Sequence, residues 1–118
     1  MNWVETQHKD ESGKLPATGK ILEGPLALMT SFPIQEIFQK LAKEGFPVEI
    51  SYSAGTFVCN DLYFRTLHEF KNLKAVFIHV PLIEVQASEG QKPFVSYSDS
   101  LLCFSKLIRF LKAKAETI

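Results

Sequence analysis

Cys59 and His79 are the residues of this sequence whose types and placement fit covalent chemistry. Cys59 follows an alternating segment, Val48-Glu-Ile-Ser-Tyr52, and a glycine-containing turn, Ser53-Ala-Gly55, and stands at or near the start of a helix. Backbone N–H groups at a helix start and the positive end of the dipole favour a thiolate, the nucleophilic form of cysteine. A sharp strand-to-helix turn would also display the sulfur at the carboxyl edge of a sheet, where open α/β folds place their sites. Cysteine is equally a residue that packs as a small buried apolar side chain, and that alternative stands beside the nucleophile. His79 interrupts the apolar run Lys74-Ala-Val-Phe-Ile-His-Val80 just before Pro81. An imidazole there is either a core histidine satisfied by neighbours or a general base. A cysteine and a histidine at the carboxyl ends of adjacent parallel strands would face one another, and the imidazole would then take the thiol proton.

The elements that must position this pair are legible on both sides of it. Ile34, Ile37, Phe38, Leu41 and Ala42 recur at helical spacing behind Pro33, and Gly45 and Pro47 stop the helix. A second helix is expected from about Thr56 to Phe70, with Cys59, Tyr63, Thr66, Leu67 and Phe70 along one face. Residues 74–80 read as a strand buried on both faces. A connection through Glu89-Gly90 and Pro93 leads to a third helix that opens at Ser98-Asp99 and runs past Leu111. Helix, strand, helix, strand, helix is the order of an α/β protein with a parallel sheet. Two strands, or three with one in the arm, make a sheet with open edges, so self-association or a covering partner is expected. Residues 1–26, with Gly13, Pro16, Gly19 and Gly24-Pro25, read as a loop or arm ahead of a domain over 27–118.

Bulk properties exclude several classes. The 118 residues allow one compact domain, and 46% hydrophobic content is enough for a core. Thirteen basic and 13 acidic residues cancel and form no basic stripe, so no nucleic-acid partner is expected. No apolar run reaches the roughly 18 residues needed to span a bilayer, so no membrane partner is expected either. The polar N-terminus has no signal-peptide h-region, and the two cysteines are not a disulfide scaffold. The reading is a reduced, soluble, cytoplasmic protein.

The segment Ser53-Ala-Gly-Thr-Phe-Val-Cys-Asn60 resembles the cysteine signature of the pyroglutamyl peptidase I (pyrrolidone-carboxylate peptidase) family, and Phe77-Ile-His-Val-Pro81 resembles its histidine segment. Gly24-Pro25, Phe32-Pro33-Ile34, the Gly45-Phe-Pro47 stop and the terminal helix follow the same family, so the resemblance covers about residues 20–112. It implies a three-layer α/β/α sandwich with a mostly parallel sheet, truncated on its N-terminal side. It also implies a cysteine peptidase that removes N-terminal pyroglutamate (5-oxoproline) from peptides through a thioester, with no metal and no cofactor. By that resemblance Cys59 is the nucleophile, His79 the general base, and Phe57 and Val58 flank the nucleophile as the pocket for the pyroglutamyl ring. Family members often form homotetramers, so the implied partner is a second copy or a complementary N-terminal chain.

The family's third catalytic residue is a glutamate in an earlier Glu-Arg motif, and the asparagine after that motif resembles Asn2. The resemblance therefore places the start of this chain just after that acid, and the family's substrate loop and an arginine near the oxyanion are also missing. Glu5, Glu49, Asp61 and Glu84 are candidates by location for a substitute acid, each more simply a solvated carboxylate. His8 and His68 are expected on the surface, and Cys103 in packing. Tyr52, Tyr63, Phe64 and Phe70 are expected in the core, with Lys112 and Lys114 at a solvated helix end.

Overall fold

The structure, a computed structural model, describes residues 1–81 and 96–116. The connection expected over 82–96, with Glu84, Glu89-Gly90 and Pro93, therefore lies almost wholly outside the described residues. The chain clusters into two units: residues 1–32 with 51–78, and residues 33–50 with 79–118.

The second unit holds two of the three helices found among the described residues. Helix α1 spans Ile34–Lys43 and buries Ile37 and Leu41, one helical turn apart, as the apolar spacing predicts. Its end is a full Schellman motif: Gly45 N–H donates to the Ala42 carbonyl at 3.0 Å and Phe46 N–H to the Leu41 carbonyl at 3.2 Å. Gly45 adopts φ of 89°, a conformation that a side chain disfavours, which is why the helix stops on a glycine. Helix α3 spans Tyr97–Glu116. It starts one residue before the expected Ser98, because Ser96 caps it: Asp99 N–H donates to the Ser96 hydroxyl at 3.1 Å. Three contacts set an antiparallel register between the helices. Glu36 pairs with Lys114, Lys40 lies over the Phe110 ring at 5.5 Å, and Glu44 approaches Lys106 at 3.8 Å. Each step of about four positions forward on α1 meets four backward on α3. Lys114 is thus an ion-pair partner, where the charge pattern predicted only a solvated end.

The first unit contains helix α2, Val58–Glu69, inside the expected limits. Its deepest side chains are Asn60 and Phe64, each 2% exposed. The predicted stripe of Cys59, Tyr63, Thr66 and Leu67 is half-buried, one position to the side. His68, expected on the surface, is half-buried and stacks on Phe64 with ring centres 6.2 Å apart. Of the four expected core aromatics only Phe64 is buried; Tyr63 is half-buried against Phe77, and Phe70 and Tyr52 are exposed.

No strand occurs among the described residues, and the one β-bridge pairs Val4 with Gly19 in antiparallel sense. The segments expected as strands, 48–52 and 74–80, carry no ladder. A strand exists only through the ladder of a neighbour, and none forms along either run among the described residues, where the Thr30 hydroxyl donates to the Ala75 carbonyl. The expected double-sided burial of 74–80 is likewise not realised: Ile78 and Val80 are exposed while Ala75, Val76 and Phe77 are half-buried.

Candidate active site

The turn before Cys59 is built from its own hydroxyls. Ser53 N–H donates to the Ser51 hydroxyl at 3.3 Å, which in turn donates to the Ser53 carbonyl at 2.8 Å. Gly55 N–H donates to the Ser53 hydroxyl at 3.0 Å, and Gly55 sits at φ of 80°, where the reversal needs a residue without Cβ. The chain then passes Thr56 and Phe57 and enters α2 at Val58, so Cys59 is the second residue of the helix. The side chain of Phe57, at the position before this helix, makes no capping hydrogen bond. The first full helical bond of this turn runs from Asp61 N–H to the Phe57 carbonyl at 2.9 Å. Cys59 and Phe57 are half-buried and Val58 is exposed, so the thiol directly follows two apolar residues at this helix start. Neither Cys59 nor Cys103 forms a disulfide.

Residues 1–5 are fastened to this helix start. Thr56 hydroxyl donates to the Glu5 carbonyl at 2.6 Å, and Glu5 N–H donates to the Thr56 carbonyl at 3.0 Å. Asn60, immediately after the cysteine, donates from Nδ2 to the carbonyls of Met1 at 2.7 Å and Trp3 at 3.1 Å, and its Oδ1 accepts from the Met1 nitrogen at 2.8 Å. Asn2 is fully buried and spends all four of its hydrogen bonds on the next stretch of the arm. Its Nδ2 donates to the Leu22 and Pro25 carbonyls at 2.8 and 3.1 Å, and its Oδ1 accepts from the Ile21 and Leu22 N–H groups at 2.9 and 3.2 Å. Residues 1–5 and 21–25 of the arm are thus packed on the first unit, held by two buried asparagines, while residues 11–15 are exposed. Composition concealed both, since asparagine is ordinarily a surface or turn residue. The one available signal was that Asn60 and Phe64 share a helical face.

His79 is exposed and begins the returning part of the second unit. Asp61 is occupied by Arg65, whose Nε lies 3.1 Å from both carboxylate oxygens. Glu5 and Glu49 are exposed, and the Glu5 carboxylate accepts from the Trp3 indole at 3.3 Å. His8 is exposed beside Phe57, ring centres 6.3 Å apart. A shallow recess of about 260 Å³ is lined by Leu22, Arg65, Thr66, Glu69 and Phe70, toward the end of α2 away from the thiol. Among the described residues no group of three or more His, Cys, Asp or Glu side chains gathers to hold a metal ion.

The backbone answers to a known class. The pyrrolidone carboxyl peptidase of Thermococcus litoralis superposes with a TM-score of 0.87 at 33% identity, over 98% of this chain and 58% of that one. The chain therefore has the α/β fold of these peptidases. The pyrrolidone-carboxylate peptidase of Lactobacillus acidophilus is 40% identical over 103 residues, 83% of this chain and 52% of that protein. That of Vibrio parahaemolyticus is 39% identical over 102 residues, 84% of this chain and 48% of that protein. The profile of the pyroglutamyl peptidase family matches residues 1–118, and the chain belongs to this family. It spans about half the length of the curated relatives it matches. No helix among the described residues is long and apolar enough to cross a membrane.

Proposed function

We propose that this chain carries the nucleophile and general base of a pyroglutamyl peptidase and acts on peptides with N-terminal pyroglutamate. The observation that carries the proposal is the placement of Cys59 as the second residue of helix α2, in a chain of this family. Cys59 Sγ attacks the pyroglutamyl carbonyl carbon while His79 accepts the thiol proton. The tetrahedral oxyanion takes hydrogen bonds from backbone N–H groups of the first turn of α2. On collapse the C–N bond breaks, His79 delivers the proton to the leaving amine, and a thioester remains. Water, deprotonated by His79, attacks the thioester carbonyl and releases pyroglutamate and the thiol. Phe57 and Val58 form the apolar wall for the lactam ring, and the chemistry calls for no metal or cofactor.

In this reading the segments 48–52 and 74–80 become parallel strands of an α/β/α sandwich once flanking strands lie beside them. Residues 27–118 are the C-terminal part of that sandwich and residues 1–26 the arm leading into it. The flanking strands come from a complementary N-terminal chain or a second copy, and the acid that orients His79 from the complementary chain, in the cytoplasm. The alternative reading is a non-catalytic fold remnant or partner subunit.

The test is fluorophore release from a pyroglutamyl-coumarin substrate. Wild type, Cys59→Ala and His79→Ala are each assayed alone and with the N-terminal half of a curated relative. Turnover by wild type that both substitutions reduce by about three orders of magnitude or more supports the peptidase. Turnover that survives Cys59→Ala removes Cys59 as the nucleophile and overturns the proposal, and its absence under every condition overturns it in favour of the subunit.

A further inference from the structure

Asn60 is next to the candidate nucleophile, 2% exposed, and yet directs its whole carboxamide away from α2 into the backbone of residues 1–3. The two carbonyls it meets are those of alternate residues, Met1 and Trp3, which project to one side of an extended segment. The two hydrogens of one side-chain amide thus do what a neighbouring strand would do for that edge. Four residues earlier, Thr56 makes its reciprocal pair with Glu5. Residues 1–5 are therefore gripped at both ends by the five residues that contain Cys59. Between this segment and α2 lie a turn through Asp10–Lys14 and several glycines and prolines, which would otherwise leave it a large conformational freedom.

From this geometry we propose that Asn60 is a positioning residue, whose carboxamide locks the backbone of residues 1–3 to the first turn of α2 so that Cys59 and the arm open and close as one body. The proposal rests on the reading of Cys59 as nucleophile. A helix start whose preceding side chain makes no capping hydrogen bond frays readily, and a frayed first turn misdirects both the sulfur and the N–H donors beside it. Bonds from Asn60 to a packed segment hold that turn from the outside. An aspartate would fit the same space but offers no hydrogen to the two carbonyls, so the chemistry demands the amide.

Hydrogen exchange and cysteine alkylation on the full chain test it together. In wild type, the amides of Val4 and Glu5 are expected to exchange with the same opening free energy as the Asp61 amide, whose hydrogen bond to the Phe57 carbonyl closes the first turn of α2. Exchange of Val4 and Glu5 about a hundredfold faster than Asp61 would show two independent bodies and overturn the proposal without any variant. In Asn60→Ala, exchange at Val4 and Glu5 is expected to rise at least about tenfold, and the iodoacetamide rate of Cys59 relative to Cys103 to change by about tenfold. Asn60→Asp is expected to behave as Asn60→Ala, and Phe64→Leu, which destabilises the same helix from its core, to leave the ratio near wild type. Restoration by Asn60→Asp, or the same ratio in Phe64→Leu as in Asn60→Ala, reduces Asn60 to a stability residue and overturns the proposal. The catalytic reading fails separately, by absent turnover in the complemented assay while the exchange coupling persists.

Discussion

Thr56 and Glu5, 51 positions apart, exchange two hydrogen bonds: the hydroxyl of one donates to the carbonyl of the other at 2.6 Å, and the amide returns to the Thr56 carbonyl at 3.0 Å. Three residues later comes Cys59. The arm at the front of the chain is thereby fixed against the turn that presents the thiol, and contacts of this kind are where changes should be felt.

Asn2→Ala removes a side chain with all four hydrogen bonds satisfied and strands two N–H groups and two carbonyls of residues 21–25. A loss of about 2–4 kcal/mol is expected, measured by urea unfolding. Loss of less than about 0.5 kcal/mol would mean that water takes over those groups and that residues 21–25 are not packed on the first unit.

Phe64→Ala empties the one wholly buried aromatic site of the first unit among the described residues and removes the ring that His68 stacks on. The expected cost is about 3–5 kcal/mol, enough to consume much of a small domain's stability. Thermal unfolding followed by circular dichroism reads it directly, with Phe70→Ala, at an exposed site, as the near-neutral comparison.

Gly45→Ala places a side chain on a residue at φ of 89° with nothing within 4 Å of the new Cβ. The strain is conformational rather than steric contact, and about 1–2 kcal/mol of destabilisation is expected. Gly45→Asn should cost less, since asparagine tolerates this backbone region. Equal losses in the two variants would show that crowding, not the backbone angle, sets the cost.

The hydrogen bond from Lys114, followed by its charge and then that of Lys40, holds the Glu36 carboxyl below the usual glutamate range. A depressed acid stabilises the fold above its unfolded value near 4.5, and that contribution disappears as pH falls through the lower folded value. Melting temperatures are expected to drop on acidification below pH 4.5, and Lys114→Gln should flatten that limb. The pair is exposed, so the effect is small and weakens with salt. An acid limb unchanged in Lys114→Gln would assign it to other carboxylates.

Burial pushes the Cys103 thiol above its ordinary value of 9.0. Its alkylation is expected to stay slow at neutral pH and to climb only above pH 9.0, as followed by peptide-resolved mass spectrometry. A plateau already reached at pH 8 would place this thiol in a polar setting and contradict its packing in α3.

The sequence by itself determined the helices, because their information is local. Ile37 and Leu41 recur at one helical turn, Gly45 supplies the backbone angle that ends α1, and the Ser53–Asn60 segment identifies the family's cysteine motif. Only the tertiary structure decided what those helices meet. Nothing local distinguishes Asn2 and Asn60 from surface asparagines; they are buried because their amides find backbone partners roughly 20 and 57–59 positions away. Lys114 reads as a solvated end until the antiparallel register brings Glu36 beside it. The runs 48–52 and 74–80 show the converse. Their alternation and apolar content are strand-like, but a strand is completed by the hydrogen bonds of a neighbour, and no residue within the run can supply them.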